Sequence, residues 1–275
     1  MLSINTNTGS MTALRYLNKT NSGLNGTETK VSTGLKVASA RDDGSTYAIA
    51  QNMRGDIGGG SAIEDSLNRG LSAIDVATSA GESISDLLIE MKAKALAASD
   101  SSLDTASREA YNQDFMALRD QIATVVSNAT FNGLNLLNGS TTKVTALASS
   151  SGSRRITVLA QNYTFGGSIL AGMSAASTIS TMTNAANMVS IITTALVNVD
   201  SSLSKLSAGA KKYSIQLTFT SKLIDSLQTG VGNLVDADMA TESANLTALQ
   251  TKQQLGVQAL SIANTSPQII LSLFQ

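Results

Sequence analysis

The chain has 275 residues and nearly balanced charge, with 19 Lys and Arg against 20 Asp and Glu; aromatics make up 4%, and Trp is absent. With no Cys and no His, thiol chemistry, disulfides, zinc fingers and any Ser-His-Asp or Cys-His catalysis are excluded. The charge balance, without a basic patch to neutralise phosphates, argues against nucleic acid, and no uncharged 18-residue apolar run is present to enter a membrane.

The apolar content is mostly Ala, Leu, Ile and Val, which suits long helices packed closely side by side. The lone proline, Pro267, fits that picture, because proline breaks helix interiors. The opening MLSINTNTGSMTALRYLNK has no basic start followed by an apolar block, so no cleavable secretory signal is expected. Residues 1–10 are polar, with Leu2 and Ile4 as isolated anchors, and are expected to order only against something else. From Met11 a 3–4 spacing sets in through Leu14, Leu17, Asn21, Leu24, Glu28, Val31, Leu35 and Ala38. Asn21 and Glu28 dilute this seam, so a helix here is marginal alone and needs partners.

The stretch 31–61 changes character. Gly34, Gly44, Gly55 and Gly58–Gly60 punctuate it, and Ser39, Asp42 and Asp43 are turn and cap residues. It reads as a non-helical spoke or turn-rich linker. An amphipathic helix is then expected from Ser61 to Ala98 on Ile63, Leu67, Leu71, Ile74, Ala77, Ile84, Leu87, Leu88, Met91 and Ala95. Residues 99–102 break it, and a second helix follows to about Ala129 on Tyr111, Phe115, Leu118, Ile122 and Val125.

Residues 131–167 are the only β-like segment. Asn-Gly at 132–133 and at 138–139 is strong turn chemistry, and Val144–Leu147 can pair with Ile156–Leu159 across a Ser/Gly-rich loop. The return limb is the cleanest periodic signal: Ala185, Val189, Ile192, Leu196, Val199, Leu203, Leu206, Ala210, Tyr213, Leu217, Thr220, Ile224, Leu227, Val231 and Leu234. At 1.5 Å per residue this is a rod of roughly 75 Å, which a coiled coil or bundle needs and a compact enzyme domain does not. Gly230 and Gly232 are expected to loosen it before Asp236.

Two apolar rows run through the last thirty residues. One is Leu246, Leu249, Gln253, Gly256, Leu260, Ala263, Ile270 and Phe274; the other is Ala248, Leu255, Ala259, Ile262, Ile269 and Leu273. A helix apolar on two faces is buried among several neighbours, so this terminus reads as an assembly surface. Ser266 before Pro267 suits an N-cap with proline at the first helical position, predicting a kink or restart there.

Fragments that resemble sites fail on context. Asp236-Ala-Asp238 lies in a helical pattern rather than at a strand end. Gly58–Gly60 has no following Lys-Ser/Thr to meet phosphate, and Gly230-Val-Gly232 has no strand before it. Arg41-Asp42-Asp43 reads as a capped turn with an ion pair more readily than as a cation site. Glu64 with Asp65 and Glu82 with Asp86 read as solvated helix positions. Asn138-Gly-Ser140 matches a short triplet that arises often by chance.

The two ends together point to a family. INTNTGSMTALRYLNKTNSGLNGTETKVSTGLKVASARDDGSTYAIAQNMRGDI resembles the N-terminal region of bacterial flagellins, with STGLKVASARDD (32–43) close to its signature. VDADMATESANLTALQTKQQLGVQALSIANTSPQIILSLF resembles the C-terminal region, FNGLNLLNG (131–139) the turn before the variable insertion, and LQTKQQLGVQALSIAN the alphaproteobacterial members. The resemblance covers about 1–140 and 180–275, in the right order.

It implies a mainly α fold: an elongated antiparallel helical bundle or coiled coil from both termini, with a small β-hairpin insertion. It further implies three parts: 1–40 plus 236–275 as terminal helical inner core, 41–140 plus 176–235 as helical rod, and 141–175 as variable surface insertion. The implied function is a structural subunit of the secreted, extracellular flagellar filament, a homopolymer without cofactor or catalysis. Implied partners are an export chaperone and the flagellar type III export apparatus, the filament cap and hook-associated proteins, with no nucleic acid and no membrane insertion. The residues expected to carry assembly are Leu14, Leu17, Leu24, Val31, Leu35, Leu246, Leu249, Leu255, Leu260, Ile262, Ile269, Ile270, Leu273 and Phe274.

In members detected by the vertebrate innate receptor, the first long helix carries a basic-rich segment followed by Glu-Leu-Ala. Here it reads Lys92-Ala-Lys94-Ala95-Leu96-Ala97, with Ala95 in place of the acid, so weak or absent receptor activation is expected. The Ser/Thr-rich stretches Ser140–Ser153 and Ser174–Thr183 are open to O-linked sugars, as in some relatives, or are a plain hydrophilic surface. A hook–filament junction protein and a surface-displayed binding protein or adhesin, with Tyr163 and Phe165 as its ligand candidates, are the alternative readings.

Overall fold

The computed structural model describes residues 6–272. The chain runs α1 (Thr8–Thr33), α2 (Gly44–Ala98), α3 (Thr105–Asn128), β1 (Thr130–Phe131), β2 (Leu134–Asn135), β3 (Lys143–Leu147), β4 (Arg155–Leu159), α4 (Met182–Val235) and α5 (Met239–Ser272). The fold is mainly helical, with β1–β2 and β3–β4 as small antiparallel pairs. It divides into two compact units, 1–55 with 226–275 and 56–225.

Short side chains at the caps set the helix starts. The Asn7 amide oxygen accepts the Ser10 N–H ahead of α1, and Asp104 does the same for Ser107 ahead of α3. Asp43 opens α2, accepting from the Ser45 and Thr46 amides and the Thr46 hydroxyl. Asp238 opens α5 through Ala240, Thr241 and the Thr241 hydroxyl. These bonds, the Thr hydroxyl foremost, hold both carboxyls below the usual carboxylate range. Gly34, at φ 72°, ends α1 in the left-handed region and returns its N–H to the Lys30 carbonyl.

In the first unit α1 and α5 lie antiparallel, Gly9 near Ala263 and Gly23 near Leu249. Leu35 bridges Asp236, the Lys36 and Val37 amides reach the Val235 carbonyl, and the Ala237 amide reaches the Gly34 carbonyl. Asp236 thus belongs to a backbone bridge and Asp238 to a cap. Asp42 closes the preceding turn on the Ala38 and Ser39 amides. Arg41 makes no ion pair among the described residues, so the capped turn forms without the one expected there.

The second unit packs α2, α3 and α4 with both hairpins around Leu67, Ile74, Ile84, Leu88, Phe115, Ile122, Tyr163 and Tyr213. The expected pairing of the strands holds, in the register Val144↔Val158 and Ala146↔Ile156. Asn132 (φ 50°) and Gly133 (φ 76°) form the tight turn of the smaller hairpin. Buried Asn135 ties that hairpin to α3, donating to the Val126 carbonyl and accepting from the Leu137 and Asn138 amides. Tyr213 donates from its buried hydroxyl to the Ile156 and Val144 carbonyls, pinning the larger hairpin to α4. Arg108 stitches the 99–104 turn through the Ala98, Asp100 and Leu103 carbonyls.

Three sequence expectations fail here. The linker expected over 31–61 is confined to 34–43, and α2 starts at Gly44 rather than Ser61. Two of its glycines are places of close approach: a Cβ on Gly59 would lie 2.7 Å from Ser150 Cβ, and one on Gly60 2.8 Å from Ile224. Each helical glycine costs about 1 kcal/mol in propensity, and packing at these positions offsets it. Gly230 and Gly232 do not loosen α4, which continues to Val235 with Gly230 against Met53. Nor does α5 restart at Pro267; it is continuous to Ser272.

A contrast between two glycines of α2 tests this view. A Cβ at Gly70 would stand 2.4 Å from the Tyr213 ring, whereas Gly58 has nothing within 4 Å. Gly70→Ala should destabilise the monomer by roughly 1–3 kcal/mol through overpacking. Gly58→Ala should stabilise it by roughly 0.5–1 kcal/mol. Thermal unfolding followed by circular dichroism reads both signs.

Candidate assembly surface

On α5 the two apolar rows are treated differently. Leu246, Leu249, Gln253, Gly256, Leu260 and Ala263 are half-buried on the side facing α1, while Ala248, Leu255, Ala259 and Ile262 stay exposed. Leu255 keeps 60% of its surface in water and Ile262 65%. A single partner helix covers one stripe, and within this unit the second stripe has none.

On α1 the covered face carries Leu17, Leu24 and Val31, with Leu24 the deepest at 7% exposed. Leu35 is half-buried in its bridge to Asp236. Leu14, expected on the seam, is exposed instead, and Thr27 is buried where Glu28 was expected. The covered positions step through Ala13, Leu17, Thr20, Leu24, Thr27 and Val31, so the row beside 17, 24 and 31 is 13, 20 and 27, and Leu14 and Glu28 fall on the other flank. Leu17, Leu24, Val31, Leu246, Leu249 and Leu260 are therefore brought together, and Leu14, Leu255 and Ile262 point elsewhere. The side chains of Ile269, Ile270, Leu273 and Phe274, like Leu2 and Ile4, lie outside the described residues.

Polar rungs that the apolar pattern overlooked fix the register. The Gln253 amide donates to Asn21 Oδ1 at 2.8 Å, Asn7 Nδ2 donates to the Ala263 carbonyl at 2.7 Å, and Ser10 bonds Asn264 at 2.7 Å. Lys30 pairs with Glu242 at 3.1 Å. Asn21 and Gln253 both interrupt their apolar rows, and that shared interruption was the available signal. Polar pairs at seam positions specify register at some expense in stability. Gly256 allows the close approach, since a Cβ there would sit 3.2 Å from Leu17 Cδ1.

The second unit has its own open apolar row, Ile215, Phe219 and Leu223 on α4. Steps of four place these on one flank beside the core positions Tyr213 and Thr220. A search for one seam with alternating steps of four and three passes over such a flank.

The segment 92–96 is spread around α2. Lys94 donates to Asp114 at 2.7 Å and lies 5.7 Å above the Tyr111 ring, and the bond to Asp114 raises its pKa. Ala95 is fully buried, Lys92 half-buried and Leu96 exposed. Tyr163, a ligand candidate from sequence, is buried in the core and lines the same cleft as Phe165. Its hydroxyl is buried without a hydrogen-bond partner among the described residues, and burial raises its pKa. Phe165 lines a cleft of about 250 Å³ with Ile122 and Val126. Among the described residues no group of acidic side chains could hold a metal ion, and no helix is long and apolar enough to cross a membrane.

Residues 4–142 match the family model for the bacterial flagellin N-terminal helical region, and residues 189–274 that for the bacterial flagellin C-terminal helical region. Flagellin FljM and Flagellin FljK of Caulobacter vibrioides are 51% and 52% identical to this chain over 273 residues, 99% of it and 98% of each relative. A flagellin of Brucella melitensis is 39% identical over 285 residues, covering 100% of both chains. In fold, the chain is similar to the crystal structure of Bacillus cereus flagellin, with a TM-score of 0.50 at 16% identity over 56% of this chain and 88% of that one. With family matches at both ends and half-identical relatives along its whole length, the chain belongs to the bacterial flagellins, of the short alphaproteobacterial kind.

Proposed function

We infer that this chain is a structural subunit that polymerises into the helical flagellar filament for swimming. The observation that carries the reading is the α1–α5 pair, whose second apolar row is left open in the single chain. Burying one Leu or Ile side chain contributes about 1.5–3 kcal/mol, so Leu255 and Ile262 alone supply a substantial drive for association. Ile215, Phe219 and Leu223 add a second exposed row. The terminal residues 1–40 and 236–275 act as inner core, 41–140 with 176–235 as rod, and 141–175 as the part facing the medium. In the sequence, Ile269, Ile270, Leu273 and Phe274 continue the spacing of the same two rows.

The subunit leaves the cell through the flagellar export apparatus and is secreted. A chaperone covers the α5 stripes beforehand, and the filament cap and hook-associated proteins meet the same terminal helices. The role is structural, as in the family, and the full-length flagellin relatives favour it over a junction protein or adhesin.

Removing residues 240–275 should leave a soluble monomer that forms no filaments with seeds; filaments seen by electron microscopy would contradict this. The receptor segment points to weak signalling. Ala95 lies in the core and Lys94 is engaged with Asp114, leaving little of the segment free. Purified monomer should give little or no response in a receptor reporter cell, and a full-strength response would defeat the reading.

A further inference from the structure

The near-zero net charge conceals a segregation. Residues 121–224 hold seven Lys and Arg against a single acid, Asp200, a net of +6 that leaves the rest of the chain at −7. The whole-chain balance therefore hides a basic stretch of sequence.

Two of these lysines, Lys205 and Lys212, flank a cleft of about 300 Å³ between β4 and α4, with Ala208, Gly209 and Val158 also lining it. Buried Gly209 lets Val158 pack directly on α4, since a Cβ there would stand 2.6 Å from Val158. The Ala160 amide bonds the Thr142 carbonyl and the Ala148 amide the Arg154 carbonyl, so by alternation Thr157 and Leu159 turn their backbone groups away from β3. Leu159 is exposed. Both lysines are exposed and make no ion pair among the described residues.

The complementary charge lies on α2. Asp75, Glu82 and Asp86 are exposed on the side opposite the buried Ala77, Ile84 and Leu88. Asp75 and Glu82 are separated by seven residues, as are Lys205 and Lys212, a rise of about 10.5 Å in each helix. Ile89, seven residues further along, continues the stripe and is exposed. Within the second unit α2 and α4 run antiparallel, with Gly60 by Ile224, Gly70 by Tyr213 and Gly81 by Leu203. Copies added head to tail with one polarity, as an open heterologous contact requires, bring α2 of one antiparallel to α4 of the next.

We propose that the α4–β4 cleft is a docking site for a second copy of this chain, with Asp75 and Glu82 of one subunit meeting Lys212 and Lys205 of its neighbour. The contact rests on the filament reading and adds a specific surface to it. Exposed pairs contribute little affinity individually, but complementary stripes fix register and speed encounter.

Charge exchange in the full chain tests it by seeded polymerisation. Lys205→Glu with Lys212→Glu, and separately Asp75→Lys with Glu82→Lys, should each raise the critical concentration about tenfold at low salt. The four-site variant should return to within about twofold of the original. The difference should shrink as salt rises from about 0.05 to about 0.5 M, since screening shortens the range of these charges. Circular dichroism melts of the monomers separate misfolding from lost contact. Unchanged assembly by either two-site variant, or no recovery in the four-site variant, overturns the proposal. So does unchanged assembly with lost retention on immobilised polyglutamate, which assigns the cleft to an external acidic polymer. A parent chain that forms no filament overturns the filament reading itself.

Discussion

The antiparallel contact between α1 and α5 is the constraint on which the rest depends. It joins the two ends of the sequence through one narrow apolar seam, and its depth is modest: Leu24 is buried, while Leu17, Val31, Leu249 and Leu260 are only half covered. A two-helix pair of this kind removes too little apolar surface to oppose the conformational entropy of ordering some sixty residues. The polar rungs from Asn21 to Gln253 and from Asn7 to Ala263 align the helices without adding much stability. The pair is thus set in register and left short of partners, which is what a subunit completed by its neighbours requires.

The second unit is built differently. Its core is continuous and closed, and its precision comes from small residues on α2 and α4 that admit large ones. Gly70 receives the Tyr213 ring and Gly81 sits against Leu203 and Tyr163. Tyr213 then reaches through to the hairpin carbonyls, so one side chain couples helix packing to the position of β3 and β4. A body of this kind holds its shape alone, whereas the terminal pair does not.

Much of this was legible in the sequence because the dominant signals are periodic. The α4 repeat from Ala185 to Leu234, the strand pairing of 144–147 with 156–159 and the Asn-Gly turn at 132–133 all follow from local pattern. What escaped were features in which a local rule is overridden by packing. Gly55 and Gly58–Gly60 look like breakers, yet they lie inside α2, where Gly59 and Gly60 make room for Ser150 and Ile224. Pro267 looks like a start and is passed through. For the assembly surface, the sequence revealed two stripes on α5 but not which one α1 covers. That choice depends on a helical phase set by Asn21, Thr27 and Gly256, which an apolar count ignores. The Lys205–Lys212 rim escaped for a related reason, since summing charge over the whole chain cancels it.

The central claim is that the terminal helices acquire stability only from other copies. Hydrogen exchange of backbone amides, compared between monomer and filament, tests this most directly. Amides in 8–33 and 239–265 should exchange quickly in the monomer and become strongly protected in the filament. Those around Leu67–Leu88 and Ile192–Tyr213 should be protected in both. If 8–33 and 239–265 are as protected in the monomer as in the filament, the terminal pair is stable alone and the account fails.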